Sequence, residues 1–235
     1  MNLPFSRRSL IAVSLLTSSF FVTTPLFAQQ ASVKLPVPYV SQVPDGTWVA
    51  PWDEACEEAS LLMVNGYYQK KAGLPKSEVK REIQRMVDWE KATFSTYTDT
   101  DAEQTVRLIQ EQSAFRASIQ RSPSLDQIKE ELSAGRPVII LVDMFELYNE
   151  PDLGDSYHVA VLSGYDDAKQ EFHLLDPARE ATTYSYDRIM NALHDFNPAS
   201  GEADKEATVL FTEGPVAQNR PWYIAFFGFF KRLFI

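Results

Sequence analysis

One cysteine at the head of an apolar helix constrains this chain more than any other feature. Cys56 is the only thiol in 235 residues, set in Asp53-Glu54-Ala55-Cys56-Glu57-Glu58-Ala59-Ser60-Leu61-Leu62-Met63-Val64-Asn65-Gly66-Tyr67-Tyr68. Asp53 is an acceptable N-cap, which predicts Cys56 at the third helical position, where unpaired backbone N–H groups and the positive end of the helix favour a thiolate. Ala59, Leu62, Met63 and Tyr67 follow at helical spacing, so one face of the helix is predicted to be buried. The plain alternative is an inert core thiol, since free cysteine is among the most buried residue types. A lone cysteine cannot close an internal disulfide, and this directs the reading towards chemistry.

The two ends read separately from the middle. Arg7 and Arg8, the apolar run Leu10 to Phe21 and Pro25-Leu26-Phe27-Ala28 form the pattern of a secretory signal over residues 1–28. Ser6-Arg7-Arg8-Ser9-Leu10 also resembles a twin-arginine export signal. The expected destination is therefore the periplasm or the extracellular space. Without that segment the chain keeps 20 Lys and Arg against 32 Asp and Glu, with no basic stripe to follow phosphates, which argues against nucleic acid. Its length suits one domain, residues 29–215. The tail, residues 216–235, ends in Pro221 to Ile235, rich in Trp, Tyr and Phe with Lys231 and Arg232. It is too short to span a bilayer, and it suits a peripheral membrane contact or a terminal helix packed on the domain.

Between these ends, helical patterns come first. The Cys56 helix is closed by Gly73 and Pro75, Ser77 to Trp89 reads as a second helix, and capping patterns at Thr100-Asp101-Ala102-Glu103 and at Ser124 start two more. Strands follow: Pro137 to Asp143 as a buried strand, Tyr157 to Tyr165 and Glu171 to Leu175 as a hairpin, and Ala207 to Phe211 as the last strand. Leu35 to Val40 reads as an edge segment because of Pro36 and Pro38, and Met144 to Ser156 as a loop able to cover a site. Tyr186 to His194 reads as a short helix and Glu202 to Glu206 as a charged loop. The expected class is α+β, with an N-terminal helical part packed on an antiparallel sheet.

A catalytic cysteine needs an imidazole, and the imidazole needs a group to fix its tautomer. Of three histidines, His158 opens a strand after a loop, while His173 lies mid-strand and His194 in a polar helix tail. Asp176 ends the strand paired with that of His158, so the open ends of the hairpin are expected to bring the two together. Gln42, with the Cys56 N–H, offers two donors to an oxyanion. Seen singly, each has an ordinary structural reading: a satisfied strand histidine, a turn aspartate before proline, a solvated loop glutamine.

Ordered along the chain, Val37-Pro38-Tyr39-Val40-Ser41-Gln42, Trp52-x-x-Ala55-Cys56-Glu57-Glu58-Ala59-Ser60-Leu61, Gly135-Arg136-Pro137-Val138-Ile139, His158-Val159-Ala160-Val161-x-x-Gly164-Tyr165-Asp166 and Asp176-Pro177 resemble the C39-like cysteine peptidases. The resemblance covers about Leu35 to Phe211. It implies a papain-like fold, hydrolysis of a peptide or protein substrate, and Cys56 as nucleophile. It also implies His158 as base and acid, Asp176 as orienting group and Gln42 as oxyanion donor, with no metal or other cofactor. Trp52, Glu57 and Tyr157 are the expected substrate contacts. Glu57 departs from the glycine that many members place after the cysteine. A fused transporter domain, as in the bacteriocin-exporting relatives, is not expected from these residues, so their double-glycine substrate rule is not carried over. The sequence leaves open a silent peptide- or protein-binding module of the same fold and a transglutaminase- or amidase-like acyl transferase. Asp53, Glu54, Glu57 and Glu58 oppose a thiolate; taken as exposed and water-screened, they are expected to yield to a protonated His158, giving an ion pair, and to favour basic substrates.

Overall fold

The structure, a computed structural model, describes residues 31–150, 156–204 and 206–215. Residues 1–28, read as an export signal, the aromatic tail and residues 151–155 of the loop expected to cover a site lie outside the described residues. In chain order come β1 (Ser32–Lys34), a 3-10 turn (Trp52–Glu54), α1 (Cys56–Tyr68), α2 (Lys76–Phe94), α3 (Ala102–Gln112), β2 (Arg116–Arg121), α4 (Leu125–Ser133) and β3 (Val138–Asp143). The second half holds α5 (Met144–Tyr148), β4 (Tyr157–Asp166), β5 (Glu171–Leu175), β6 (Ala181–Ser185), α6 (Tyr186–Ala192), β7 (Asp195–Asn197), β8 (Glu202–Asp204) and β9 (Thr208–Glu213). A mixed helical and antiparallel β architecture results, as the sequence predicts.

The main sheet runs β2-β9-β3-β4-β5-β6, with β1 on β4 beyond the end of β3. Side-chain alternation divides it between two cores. Ile139, Leu141, Val159, Val161 and Leu210 pack with α1, α2 and α3, whereas Val138, Ile140, Val142, Ala160, Leu162 and Val209 pack with α4 and α6. Both faces are covered, which is why β3 reads as an unbroken apolar run and why β4, read as an alternating strand, is buried along almost its whole length. Gly164 sits at a bulge in β4 where β1 crosses closely; a Cβ there would meet Val33 O at 2.0 Å.

Several boundaries differ from expectation. α1 begins at Cys56 with Ala55 at the N-cap and no side-chain cap, so Asp53 lies in the preceding 3-10 turn and Cys56 is the first helical residue. The cap of α3 is Asp101, in a reciprocal box with Gln104. Leu35 to Val40 forms no strand; pairing occurs just upstream, in β1. The region read as a loop after β3 starts with α5, because Asp143 caps it by accepting the Phe145 and Glu146 N–H groups.

Ten of the thirteen residues of α1 are buried, so this helix has almost no solvent face. Two of the ten are Glu57 and Glu58, each 1% exposed. Glu58 faces Glu90 of α2, also 1% exposed, and neither Glu58 oxygen nor Oε2 of Glu90 meets a donor among the described residues. A proton shared between the carboxyls is the available way to satisfy them. Burial pushes Glu90 up to about 8, and burial with the neighbouring Glu90 and Glu57 pushes Glu58 well above the carboxylate range.

A raised folded pKa means that the folded protein holds a proton the unfolded chain releases, so stability is present at low pH and lost as pH rises from about 4.5 through about 8. Glu90→Gln is therefore expected to match the parent near pH 5 and to exceed it at pH 9 by a few kcal/mol. Urea unfolding at the two pH values checks this.

Candidate active site

The first turn of α1 lies over the start of β4. Ser60, one turn along from Cys56, donates its hydroxyl to Val159 O at 3.1 Å, fixing the helix to the strand residue next to His158. Gln42 binds the same corner from below. Its backbone N–H donates to Pro177 O at 3.0 Å, and its Nε2 donates to Trp52 O and Asp53 O at 3.1 and 3.2 Å. The loop before α1, the β5 end and Gln42 thus share one hydrogen-bonded junction.

His158 is 3% exposed, and its Nε2 lies 2.9 Å from Oδ1 of the fully buried Asp176. The carboxylate fixes the tautomer: Nε2 carries the proton, and Nδ1 remains as the ring's second functional nitrogen. In β4 His158 alternates with Tyr157 and Val159, which pack towards α1, and its ring lies 6.4 Å from that of Tyr148 on α5. Asp176 is held on several sides. Oδ1 also accepts the Ala178 N–H at 2.9 Å, and Oδ2 accepts the Tyr148 hydroxyl at 2.5 Å. Burial would raise Asp176, but the bonds from His158, Tyr148 and Ala178 prevail and hold it below its ordinary value.

Tyr148 is a member of this group that the sequence reading missed. The Arg179 guanidinium stacks 3.7 Å from its ring centroid and forms a forked pair with Glu150 at 3.0 Å to each oxygen. No periodic pattern marks a five-residue helix, so nothing in the sequence pointed to this tyrosine.

Cys56 is 6% exposed, and its S–H donates to Glu57 Oε2 at 3.0 Å. Oε1 of Glu57 accepts the Thr100 N–H and hydroxyl at 2.8 and 3.1 Å. Burial, then Glu57, then Asp99 push the thiol well up, while the Val159 backbone pulls the other way. The expected resting ion pair is corrected here. That expectation took Glu57 and Glu58 as exposed and screened, whereas both are buried, and Glu57 accepts the S–H of the thiol. Asp99 is raised to about 7 by burial and by Glu57 and Glu54, with His158 pulling the other way.

The three expected substrate contacts divide. Trp52 stands half-buried beside Gln42, with Lys80 5.9 Å from its ring. Glu57 and Tyr157 point inward instead: Glu57 is committed to Cys56 and Thr100, and Tyr157, 7% exposed, donates its hydroxyl to Thr100 O at 2.8 Å. The amide hydrogens of Gln42 are both engaged by carbonyls, so an oxyanion would have to share one of them.

The profile of the Peptidase C39-like family matches residues 34–203. The chain belongs to this family. It is thus a cysteine-type peptidase by family. Among solved structures, a Bacillus anthracis protein named as a C39-like peptidase superposes with a TM-score of 0.50 at 16% identity, covering 79% of this chain and 99% of that one. The double glycine motif protease of an AMS/PCAT transporter, in complex with a leader peptide, gives 0.41 at 17% identity over 78% and 95%. Xylellain, a cysteine protease from Xylella fastidiosa, gives 0.42 at 13% over 80% and 87%. A search of curated proteins gives no match. The fold of this peptidase is the papain-like one expected of its family, and the Bacillus anthracis structure shares it.

Since the Asp176 carboxylate is stabilised in the folded state, that stability is present above its ordinary pKa and lost as pH falls through the depressed value. Tyr148→Phe removes one donor to a charged acceptor and is expected to cost about 1.5–3 kcal/mol at pH 7. The difference from the parent should shrink as Asp176 becomes protonated, a trend that unfolding at pH 7 and at progressively lower pH reads directly.

Proposed function

We propose that this protein is an exported cysteine peptidase in which Cys56 is the nucleophile, His158 its base and acid, and Asp176 the group that orients the imidazole. The observation that carries the proposal is the 2.9 Å contact between His158 Nε2 and Asp176, made at the strand to which the first turn of α1 is tied. It leaves Nδ1 as the nitrogen that exchanges a proton with sulfur. The cycle begins when the Cys56 thiol turns from Glu57 to His158 and passes it a proton. The thiolate then attacks the peptide carbonyl, forming the C–S bond while the carbonyl electrons move to oxygen.

The Cys56 backbone N–H is free for that oxyanion because it opens the helix, and Gln42 Nε2 supplies the second donor from its place under the Trp52 and Asp53 carbonyls. The His158 imidazolium protonates the departing amine, and water, deprotonated by the same ring, cleaves the thioester. Two exposed apolar side chains, Trp48 at 53% and Val49 at 50%, precede this corner and suit contact with an extended peptide. The alternative of a silent peptide-binding module draws support from the buried, protonated thiol.

Hydrolysis of a mixed peptide library, followed by mass spectrometry, separates the two. Cys56→Ala and His158→Ala are expected to lose turnover to background, and Asp176→Asn to lose at least ~10-fold with the fold retained, since the tautomer is then no longer held. Turnover that survives Cys56→Ala, or a parent protein that binds peptides without cleaving them, overturns the proposal.

Export and membrane contact belong to the same reading: residues 1–28 carry the signal pattern, and 221–235 carry the aromatic and basic side chains of an interfacial segment. No helix of the described residues is long and apolar enough to cross a membrane. Deleting 221–235 is expected to move the protein from the membrane pellet to the soluble exported fraction, checked by fractionation and immunoblot.

A further inference from the structure

Five acidic side chains gather around the nucleophile, from four different parts of the chain. Cys56 and Glu57 are adjacent in α1, with Glu58 following; Glu90 comes from α2, Asp99 from the α2–α3 loop and Glu54 from the 3-10 turn. From β4 the group is faced by Tyr157, which is buried with its hydroxyl on Thr100 O, and by His158 through Asp99. Only one of these acids touches the sulfur. Glu57 Oε2 lies 3.0 Å from Sγ, and its Oε1 is locked by two Thr100 donors, so the carboxylate is a fixed acceptor and not a passing contact.

We infer that Glu57 is a positioning residue that restrains the nucleophile, holding the Cys56 proton and side chain away from His158, so that this peptidase rests as a neutral thiol and not as an ion pair. This rests on the reading of Cys56 as nucleophile, but its test does not depend on peptide turnover. Coulomb repulsion opposes the thiolate, and the hydrogen bond stabilises the protonated form. Both effects come from one side chain, and both push the thiol in the same direction.

An unusual consequence follows for a substitution beside a nucleophile: it should raise reactivity. In Glu57→Gln the amide oxygen still accepts from Thr100, while the amide N–H faces sulfur and donates to the thiolate. Thr100→Val should act in the opposite sense. It removes one donor from Glu57, concentrates charge on the carboxylate and tightens its hold on the thiol proton.

The experiment is alkylation of the purified full-length chain by iodoacetamide between pH 5 and pH 10, with the single cysteine quantified by intact mass. Glu57→Gln is expected to move the midpoint of the rate profile down by about one pH unit or more, about tenfold faster labelling at pH 7. Thr100→Val should move it up. Adding His158→Ala to Glu57→Gln should reverse the gain, because the released thiolate then lacks its imidazolium. Thermal unfolding confirms that the variants are folded; if Glu57→Gln is not, the Thr100→Val shift alone decides. An unmoved or raised midpoint in folded Glu57→Gln overturns the inference, as does failure of either protein to label at any pH. A peptidase reading that fails separately would show as turnover surviving in Cys56→Ala while the alkylation shift remains.

Discussion

The docking of α1 across the first residues of β4 is the constraint on which the rest depends. A helix with ten buried residues out of thirteen cannot slide or tilt without opening the core formed by Ala59, Leu62, Met63 and Val64 against Val159 and Val161. The Ser60 to Val159 hydrogen bond fixes its register by pairing a buried donor with a carbonyl, and leaving either group unpaired there would cost about 1–3 kcal/mol. Since Cys56 is the first residue of α1 and His158 the second of β4, fixing these two elements fixes both functional groups. The placement of these two side chains is thus a by-product of core packing, carried on rigid elements.

The same burial creates the site's electrostatic difficulty. In water, several carboxylates near a thiol would change its acidity little, because each pairwise interaction amounts to about 1 kcal/mol. Inside the protein, Glu57 and Glu58 are each 1% exposed, and the penalty is no longer screened. The fold answers in two ways. Glu57 receives two Thr100 donors and the thiol proton, whereas the Glu58–Glu90 pair is left with protonation as its way of losing charge. On the far side of His158 the arrangement is reversed: Asp176 is surrounded by donors from His158, Tyr148 and Ala178 and stays anionic. The domain thus holds two classes of buried carboxylate, one starved of donors and one saturated with them.

What could be read in advance follows from the range of the interactions involved. The pairing of His158 with Asp176 was legible because a hairpin relates them locally: β4 and β5 are joined by a short turn, and their open ends must be neighbours. The apolar run of β3 was legible because both of its faces are covered. In contrast, β2 and β6 are written as Arg-Ala-Ser-Ile-Gln-Arg and Ala-Thr-Thr-Tyr-Ser, polar-rich edge strands with mixed or exposed faces, β2 offering only Ala117 and Ile119 as an alternating apolar signal. The partner of β2 is β9, near the end of the described chain, and no local signal announces that pairing. The start of α1 was misplaced because Asp53 has the chemistry of a cap. Its backbone carbonyl instead serves Gln42, and the 3-10 turn intervenes.

The acids beside the cysteine show most clearly why composition misleads at such a site. Four consecutive or near-consecutive acidic residues around Cys56 look like a solvated helix start, and the helix dipole argues for placing them there. That reading is defeated by the α2–α3 loop, which returns over α1 and brings Thr100 against Glu57, forty-three residues away. A carboxylate with two fixed donors on one oxygen can be kept in the interior, and its other oxygen then becomes the strongest acceptor within reach of Sγ. The surroundings of the Cys56 thiol are therefore set less by its own helix position than by a loop that the sequence places far from it. The helix dipole and the Val159 backbone favour the thiolate, whereas burial and the Glu57 carboxylate, which accepts the S–H at 3.0 Å, favour the thiol, and the latter pair prevails.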